Sequence, residues 1–120
     1  MEVVNLLEKF DQFTDQWSPK IVGELNGQYV KLAKLQGEFV WHSHENEDEL
    51  FMVYKGTLTM HFRDRTVQVN PGEFLVVPKG VEHFPVVDGE EVHLLLFEPK
   101  NTLHTGEVDF ERADNDQQWI

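Results

Sequence analysis

Three histidines and one glutamate are spaced so that they could bind a single metal ion. His42 and His44 lie two apart in WHSHENEDELF, Glu49 begins the apolar run after them, and His83 follows the turn-forming stretch PKGVE. Residues two apart on a strand share a face at a separation of roughly 7 Å. Neutral imidazoles with a carboxylate suit Fe, Mn, Ni, Co, Cu or Zn better than Ca or Mg. The pattern predicts one divalent transition metal as the cofactor.

The neighbours of Glu49 strengthen this interpretation. Glu49 shares its face of the predicted strand with the apolar Phe51 and Val53, so that face should be buried. A buried carboxylate is costly unless it meets a cation or hydrogen-bond donors. The His-x-His pair alone would also fit a solvent-facing strand. His61 and His93 lack comparable spacing and are interpreted as structural.

The proposed ligand set favours chemistry at the metal over a purely structural role. Four protein ligands leave about two positions open on a six-coordinate metal, where water, oxygen or a chelating substrate can bind. Structural zinc is usually closed by four ligands and often uses thiolates, whereas this chain has no cysteine. A barrel that stores or senses a small ligand without turnover remains an alternative.

A hydrophobic pocket is predicted beside these ligands. Such a pocket favours a small organic molecule over a phosphorylated sugar, which would need arginines. Arg63 and Arg65 lie at a predicted hairpin tip and are interpreted as surface charges. The apolar candidates for the pocket wall are Phe51, Val53, Met60 and Phe84.

Length and charge limit the architecture that positions these residues. The chain has 120 residues, enough for a single domain over 1–120. Its net charge of −12 disfavours nucleic acid and anionic membrane surfaces as partners. No stretch approaches the roughly 18 apolar residues of a membrane span, and no secretory signal is recognisable. A cytoplasmic location is expected.

Short apolar runs punctuated by turn residues predict an all-β fold with a short N-terminal helix. Asn5 can cap a helix within a segment 1–18, and Asn26-Gly27 predicts a tight hairpin. Regularly spaced strands are then expected over 20–98, followed by a polar tail over 99–120. The strands predicted after the hairpin are Gly37 to His44, Glu49 to Tyr54, Thr57 to Phe62, Thr66 to Val69, Glu73 to Val77 and, after a turn at Asp88-Gly89, Val92 to Phe97.

Two linked motifs resemble those of the cupin superfamily. The first motif places His-x-His and a glutamate between two glycines, and the second places Pro-x-Gly and a histidine after a glycine. In this sequence the motif positions are Gly37, His42, His44, Glu49 and Gly56, then Gly72, Pro78, Gly80 and His83. The spacer after Gly37 is one residue short, and Val87 replaces an asparagine that often closes the second motif.

The resemblance implies a small, single-domain type-2 cupin. Its fold would be a double-stranded β-helix, the RmlC-like jelly-roll barrel, with one metal bound by His42, His44, Glu49 and His83. The implied function is metal-dependent chemistry on a small organic molecule, with dioxygenase-type oxygen chemistry favoured. Isomerase or lyase chemistry, as in sugar-phosphate isomerase-like cupins, and non-catalytic ligand binding or sensing are the alternatives. Storage in a seed-protein-like barrel is a weaker one, given the intact ligands.

Strand alternation adds a prediction about assembly. If His42 and His44 point inward, Phe39 and Trp41 point outward and need cover from the N-terminal helix or a second subunit. A homodimer is favoured, as in many small cupins. Acidification below about pH 6 should release the metal, because imidazole must be neutral to coordinate it.

Overall fold

The computed structural model describes residues 1–102 and 117–120, which form one short helix and eight strands. The predicted all-β, double-stranded β-helix is confirmed. The elements are α1 Leu6–Phe10, β1 Lys20–Leu25, β2 Gln28–Glu38, β3 Glu49–Lys55, β4 Leu58–Phe62, β5 Thr66–Val69, β6 Phe74–Val77, β7 His83–Pro99 and β8 Gln118–Trp119. Residues 103–116 of the predicted tail lie outside the described residues.

Strand β7 ties the barrel together. The described strands run in the order β5-β4-β7-β2-β1-β8, and β3 pairs with both β6 and β7. The 17 residues of β7 therefore pair with β4 near its start and with β2 and β3 along the rest. One strand thus brings residues from distant parts of the sequence into the same interior.

The N-terminal helix is a single turn that covers the outer face of the sheet. Asn5 caps it as predicted, since its Oδ1 accepts from the Glu8 amide at 3.0 Å. The helix ends at Phe10, so most of the predicted helical segment 1–18 is not helical. Phe10 and Phe13 pack with Leu32 in a small second core. No helix in the described ranges has the length and apolarity needed to cross a bilayer.

The predicted hairpin between β1 and β2 is present. Leu25 pairs with Gln28, and the intervening Asn26 and Gly27 have φ values of 49° and 75°. Both lie in the left-handed region, which asparagine and glycine adopt at the lowest cost.

Two predicted strand boundaries are wrong. Strand β2 continues from the hairpin only to Glu38, so no strand runs from Gly37 to His44. Strand β7 passes through Asp88-Gly89 without a turn. In this stretch β7 has more residues than the part of β2 that it pairs with, and the register between the two strands shifts to accommodate them. The Gln36 side-chain amide donates a hydrogen bond to the Gly89 carbonyl at 2.9 Å.

The early end of β2 also changes the predicted direction of Phe39, whereas Trp41 points away from the cluster as predicted. Phe39 is buried in the main core, where its ring stacks on Trp17 at 4.8 Å, rather than pointing outward. Trp41 stacks on Phe84 at 5.5 Å, and the Arg63 guanidinium lies 3.8 Å from its ring centre. Strand alternation does not apply beyond Glu38. These aromatics therefore provide no argument for the homodimer, which stays a prediction.

Candidate metal centre

The four predicted ligands meet inside the barrel. One ligand atom from each of His42, His44, Glu49 and His83 lies within 4.8 Å of every other, and all four residues are buried. Glu49 is the first residue of β3 and His83 the first of β7, while both other histidines belong to the irregular segment between β2 and β3. Each side chain is thus placed by the start of a strand or the segment leading to one.

Backbone hydrogen bonds hold the histidine-bearing segments against one another. His42 N donates to His83 O at 3.0 Å and His83 N donates back to His42 O at 2.9 Å, forming an isolated antiparallel bridge. Gly80 N donates to His44 O at 2.8 Å. The turn that carries the second motif is therefore fastened directly to the first motif.

Carbonyl groups set the tautomer of two of the imidazoles. His42 Nδ1 lies 2.9 Å from Val40 O, and His83 Nδ1 lies 2.9 Å from Val81 O. A carbonyl oxygen only accepts, so each Nδ1 carries the proton and donates it. Each Nε2 then keeps its lone pair, as a metal-ligating imidazole does.

Several of the atoms that could ligate a metal lack hydrogen-bond partners within the part of the chain that the structure describes. His44 Nε2 and His83 Nε2 lie 3.3 Å and 3.8 Å from Glu49 Oε1, but without hydrogen-bonding geometry. Buried polar atoms are normally paired, so a cluster of unpaired nitrogen and oxygen atoms indicates a binding site. A divalent cation would satisfy all three atoms. The residues therefore fit a metal of the class predicted.

Burial tunes the protonation of the cluster. It lowers the pKa of His44 and lowers the pKa of His83 to about 4, because the interior disfavours imidazolium. Burial raises the pKa of Glu49, because a carboxylate without a cation is equally disfavoured. The imidazoles are thus ready to coordinate at neutral pH, and the carboxylate gains most from a bound cation.

A buried ion pair beside the cluster was not predicted. Lys31 Nζ donates to Glu98 Oε1 at 2.7 Å, and both side chains are buried. Burial, followed by the neighbouring Glu49 carboxyl, raises the pKa of Glu98 well above its usual value. Strand alternation could have revealed this glutamate, because Glu98 shares the interior face of β7 with Leu94 and Leu96.

A small apolar cavity of about 30 Å³ adjoins the cluster. His42 and Glu49 form its polar part, and none of its lining residues is an arginine or a lysine. Among the predicted pocket residues, only Phe51 lines it. The full lining is Trp17, Pro19, Ala33, Leu35, Phe39, His42, Glu49, Phe51, Pro85, Leu94 and Leu96.

The other predicted pocket residues lie elsewhere. Val53 and Met60 are buried in the main core but do not line this cavity. Phe84 follows His83 on β7; because His83 points into the cluster, strand alternation turns Phe84 to the opposite face. There its ring lies 5.7 Å from that of His61. Phe84 therefore does not line this cavity, and its place in a substrate pocket stays a prediction.

The histidines interpreted as structural lie away from the cluster. His61 Nδ1 lies 2.9 Å from Thr66 Oγ1 on the neighbouring strand. His93 stacks on Phe10 at 4.8 Å, and its Nε2 lies 3.1 Å from Glu91 Oε1. Both have partners outside the candidate metal centre.

Fold and site together define a double-stranded β-helix protein with a buried cluster suited to a metal ion. The sequence profile of the family described as Cupin domain matches residues 28–98, which include both motifs and all four candidate ligands. The chain belongs to the cupin domain family.

Comparisons with individual proteins agree with this assignment. A cupin-2 domain containing protein from Shewanella frigidimarina NCIMB 400 is 45% identical, with a TM-score of 0.80 over 82% of this chain and 95% of that chain. Protein NMB1881 from Neisseria meningitidis is 30% identical, with a TM-score of 0.75 over 82% of this chain and 100% of that chain. Protein YdbB of Bacillus subtilis (strain 168) is 35% identical over 80 residues, 66% of this chain and 71% of its own length.

Proposed function

We propose that this cupin is a metal-dependent enzyme for a small, largely apolar organic molecule, with dioxygenase-type oxygen chemistry at one divalent transition metal. The observation that carries the proposal is the convergence of four buried ligand atoms, among which His44 Nε2, His83 Nε2 and Glu49 Oε1 lack hydrogen-bond partners in the described chain. His42, His44, Glu49 and His83 would hold the metal.

A bound redox-active metal would supply Lewis acidity and oxygen activation at its open positions. The chain's own contribution is to orient the ligands and keep water out. The Val40 and Val81 carbonyls fix the His42 and His83 rings. The apolar cavity walls would hold the organic part of a substrate beside His42 and Glu49.

The cavity lining favours oxygen chemistry over isomerisation of a phosphorylated sugar. It has no arginine or lysine for a phosphate. An isomerase or lyase also needs a positioned acid or base. The titratable residues that line the cavity are His42 and Glu49, both assigned here to the metal.

Ligand binding or sensing without turnover is the second candidate function. The cavity of about 30 Å³ has room for few atoms, so a larger molecule would require the walls to move. A small ligand bound directly to the metal would need no further catalytic group. This candidate predicts stabilisation of the metal-loaded protein by the ligand, without a reaction.

Metal content tests the proposed centre first. Protein purified without added metal is analysed for its elements, then stripped and titrated separately with Fe, Mn, Ni, Co, Cu and Zn. One ion per chain is expected for the native protein, and His44→Ala or Glu49→Ala should lower this occupancy. His61→Ala is the control, because His61 lies outside the cluster. Failure of the folded native protein to bind any of these metals would overturn the proposal.

Oxygen uptake tests the chemistry. The metal-loaded protein is supplied with diketones, catechols and flavonoids in an oxygen electrode. Uptake that depends on both substrate and metal supports an oxygenase. Thermal stabilisation by one of these compounds without uptake would instead support the binding function.

A further inference from the structure

The Lys31–Glu98 ion pair occupies a position where the fold alone does not require charge. Its Nζ and Oε1 atoms are 2.7 Å apart, and the two residues are only 1% and 3% exposed. Well-packed apolar residues of similar volume often stabilise a protein as much as a buried ion pair does, or more. The pair therefore calls for a role other than stability.

The strand register places this pair against a candidate ligand. Leu50 of β3 pairs with Phe97 of β7, and Phe51 pairs with Leu96, so the next step of this antiparallel ladder sets Glu49 opposite Glu98. Both glutamates are buried. Glu49 is thus a direct neighbour of a second carboxyl group that is itself held by a lysine.

The unused oxygen of Glu98 is the second observation. Lys31 contacts Oε1, whereas the buried Glu98 Oε2 has no N–H donor among the described residues, and the Glu98 carboxyl lies within hydrogen-bonding reach of that of Glu49. Two adjacent buried carboxyl groups are both charged at low cost only where a cation compensates them; otherwise one keeps its proton and donates it to the other. Lys31 supplies a positive charge on one side, and a metal among the histidines would supply it on the other.

We propose that Lys31 and Glu98 form a positioning pair that holds the Glu49 carboxyl toward the three imidazoles and thereby sets the affinity of the centre for divalent metal. This inference rests on the proposed metal centre. Lys31 anchors Glu98, Glu98 limits the positions open to Glu49, and neither residue of the pair binds the metal. Groups that orient metal ligands in this way typically change metal affinity by about 10- to 100-fold when they are altered.

The first test replaces the whole pair with apolar residues. The double variant Lys31→Met with Glu98→Leu is expected to bind Co²⁺ about 10- to 100-fold more weakly in chelator competition. Its Co²⁺ absorption spectrum should also change, while the metal-free protein unfolds at the same or a higher urea concentration than the native chain. The control is Asp15→Asn with Lys20→Met, since this ion pair has a similar 2.7 Å separation but an exposed carboxylate. The control should bind Co²⁺ as the native protein does.

A second test separates the effect of the length of the Glu98 side chain from that of its charge. It does not depend on how the double variant folds. Glu98→Asp keeps the charge but withdraws the carboxyl from Glu49, so weaker binding and an altered Co²⁺ spectrum are expected. Glu98→Gln keeps the length and can accept from Lys31 while donating to Glu49. It should retain the native spectrum and lose less affinity than Glu98→Asp.

The outcomes distinguish this inference from the proposed function. Native Co²⁺ affinity and spectrum in Glu98→Asp would overturn the positioning role and leave the metal centre intact. Absence of metal binding by the native protein would instead overturn the centre itself. A metal-free double variant that unfolds far more readily, with unchanged affinity once folded, would show a purely structural pair.

Discussion

His42 and His83 face each other across a single antiparallel bridge, with reciprocal backbone hydrogen bonds of 3.0 Å and 2.9 Å and ring centres 4.2 Å apart. The bridge joins the two sequence motifs at their histidines. Both rings are also held by carbonyl groups two residues before them. Two of the four candidate ligands are therefore fixed by the polypeptide itself, and metal binding should require little rearrangement of them.

The pH at which metal is released follows from the buried ligands. Protons compete with a metal only when the ligand takes them up. Since the pKa of His83 is lowered to about 4 and that of His44 is also lowered, both imidazoles should resist protonation well below the usual histidine range. Because the pKa of Glu49 is raised, its carboxylate takes up a competing proton at a higher pH than the His83 imidazole does.

We therefore expect bound metal to persist at about pH 6, the limit expected for ordinary histidines, and to be lost progressively as the pH approaches about 4, where His83 titrates. Metal retained after dialysis at stepwise lower pH measures this directly. Complete release near pH 6 would contradict it.

Glu49→Gln should stabilise the metal-free protein increasingly as the pH rises above the ordinary pKa of a glutamate. The pKa of Glu49 is raised in the folded state, so the unfolded chain releases this proton at a lower pH than the folded chain. The contribution of Glu49 to the stability of the folded state therefore falls as the pH rises from the ordinary pKa of glutamate toward the raised pKa of the folded state. Glutamine removes this penalty while also removing a candidate ligand.

The measurement is urea unfolding of metal-free native and variant protein between pH 5 and pH 8. The stability difference in favour of Glu49→Gln should grow with pH, and added metal should reverse the order. A difference that is constant across the range would mean that Glu49 is not disfavoured as a charge.

His83 has the opposite pH dependence in the metal-free protein. An unfolded histidine takes a proton near pH 6.5, but folded His83 does so only near its pKa of about 4. Between these values the unfolded state binds more protons, so stability falls as the pH falls, by up to about 3 kcal/mol from this group. His83→Gln should remove this part of the slope. Parallel urea titrations of native protein and variant test it, and identical slopes would be the contrary result.

The sequence was sufficient to predict the candidate ligands because their evidence is local. The spacing of His42 and His44, and the apolar neighbours that share the face of Glu49, can be recognised without knowledge of strand pairing. The turn before His83 is likewise a short-range feature. What the sequence could not provide was the isolated bridge that joins the two motifs, because it depends on the path of the chain between β2 and β3.

The predictions that proved wrong concern features that depend on the pairing of strands distant in the sequence. Phe39 is buried because β2 ends at Glu38, which strand alternation alone does not reveal. Asp88-Gly89 lies within β7 because pairing with β2 tolerates a shift in register. The pairing of Lys31 with Glu98 is not recognisable from the sequence, because it depends on the register of β2 against β7 and a charged residue taken alone is expected at the surface.

The glycine that closes the first motif should be less replaceable than the glycine in Pro-x-Gly. Gly56 and Gly80 have φ values of 82° and 80°, so alanine at either position adopts an unfavourable left-handed conformation costing about 1–2 kcal/mol. A Cβ at Gly56 would also lie 3.0 Å from Glu91 O and 3.1 Å from Val92 Cγ2, whereas one at Gly80 would have no neighbour within 4 Å.

We expect Gly80→Ala to lower the free energy of unfolding by about 1–2 kcal/mol. Gly56→Ala should lower it by roughly 1–3 kcal/mol more, because the added methyl group presses on the backbone of β7. Urea unfolding of the metal-free proteins compares the two directly and keeps metal affinity out of the measurement. Both alanines have the same backbone strain. The difference between the two losses of unfolding free energy therefore measures the contact with β7. Equal losses would show that β7 moves away from the added methyl group at no cost.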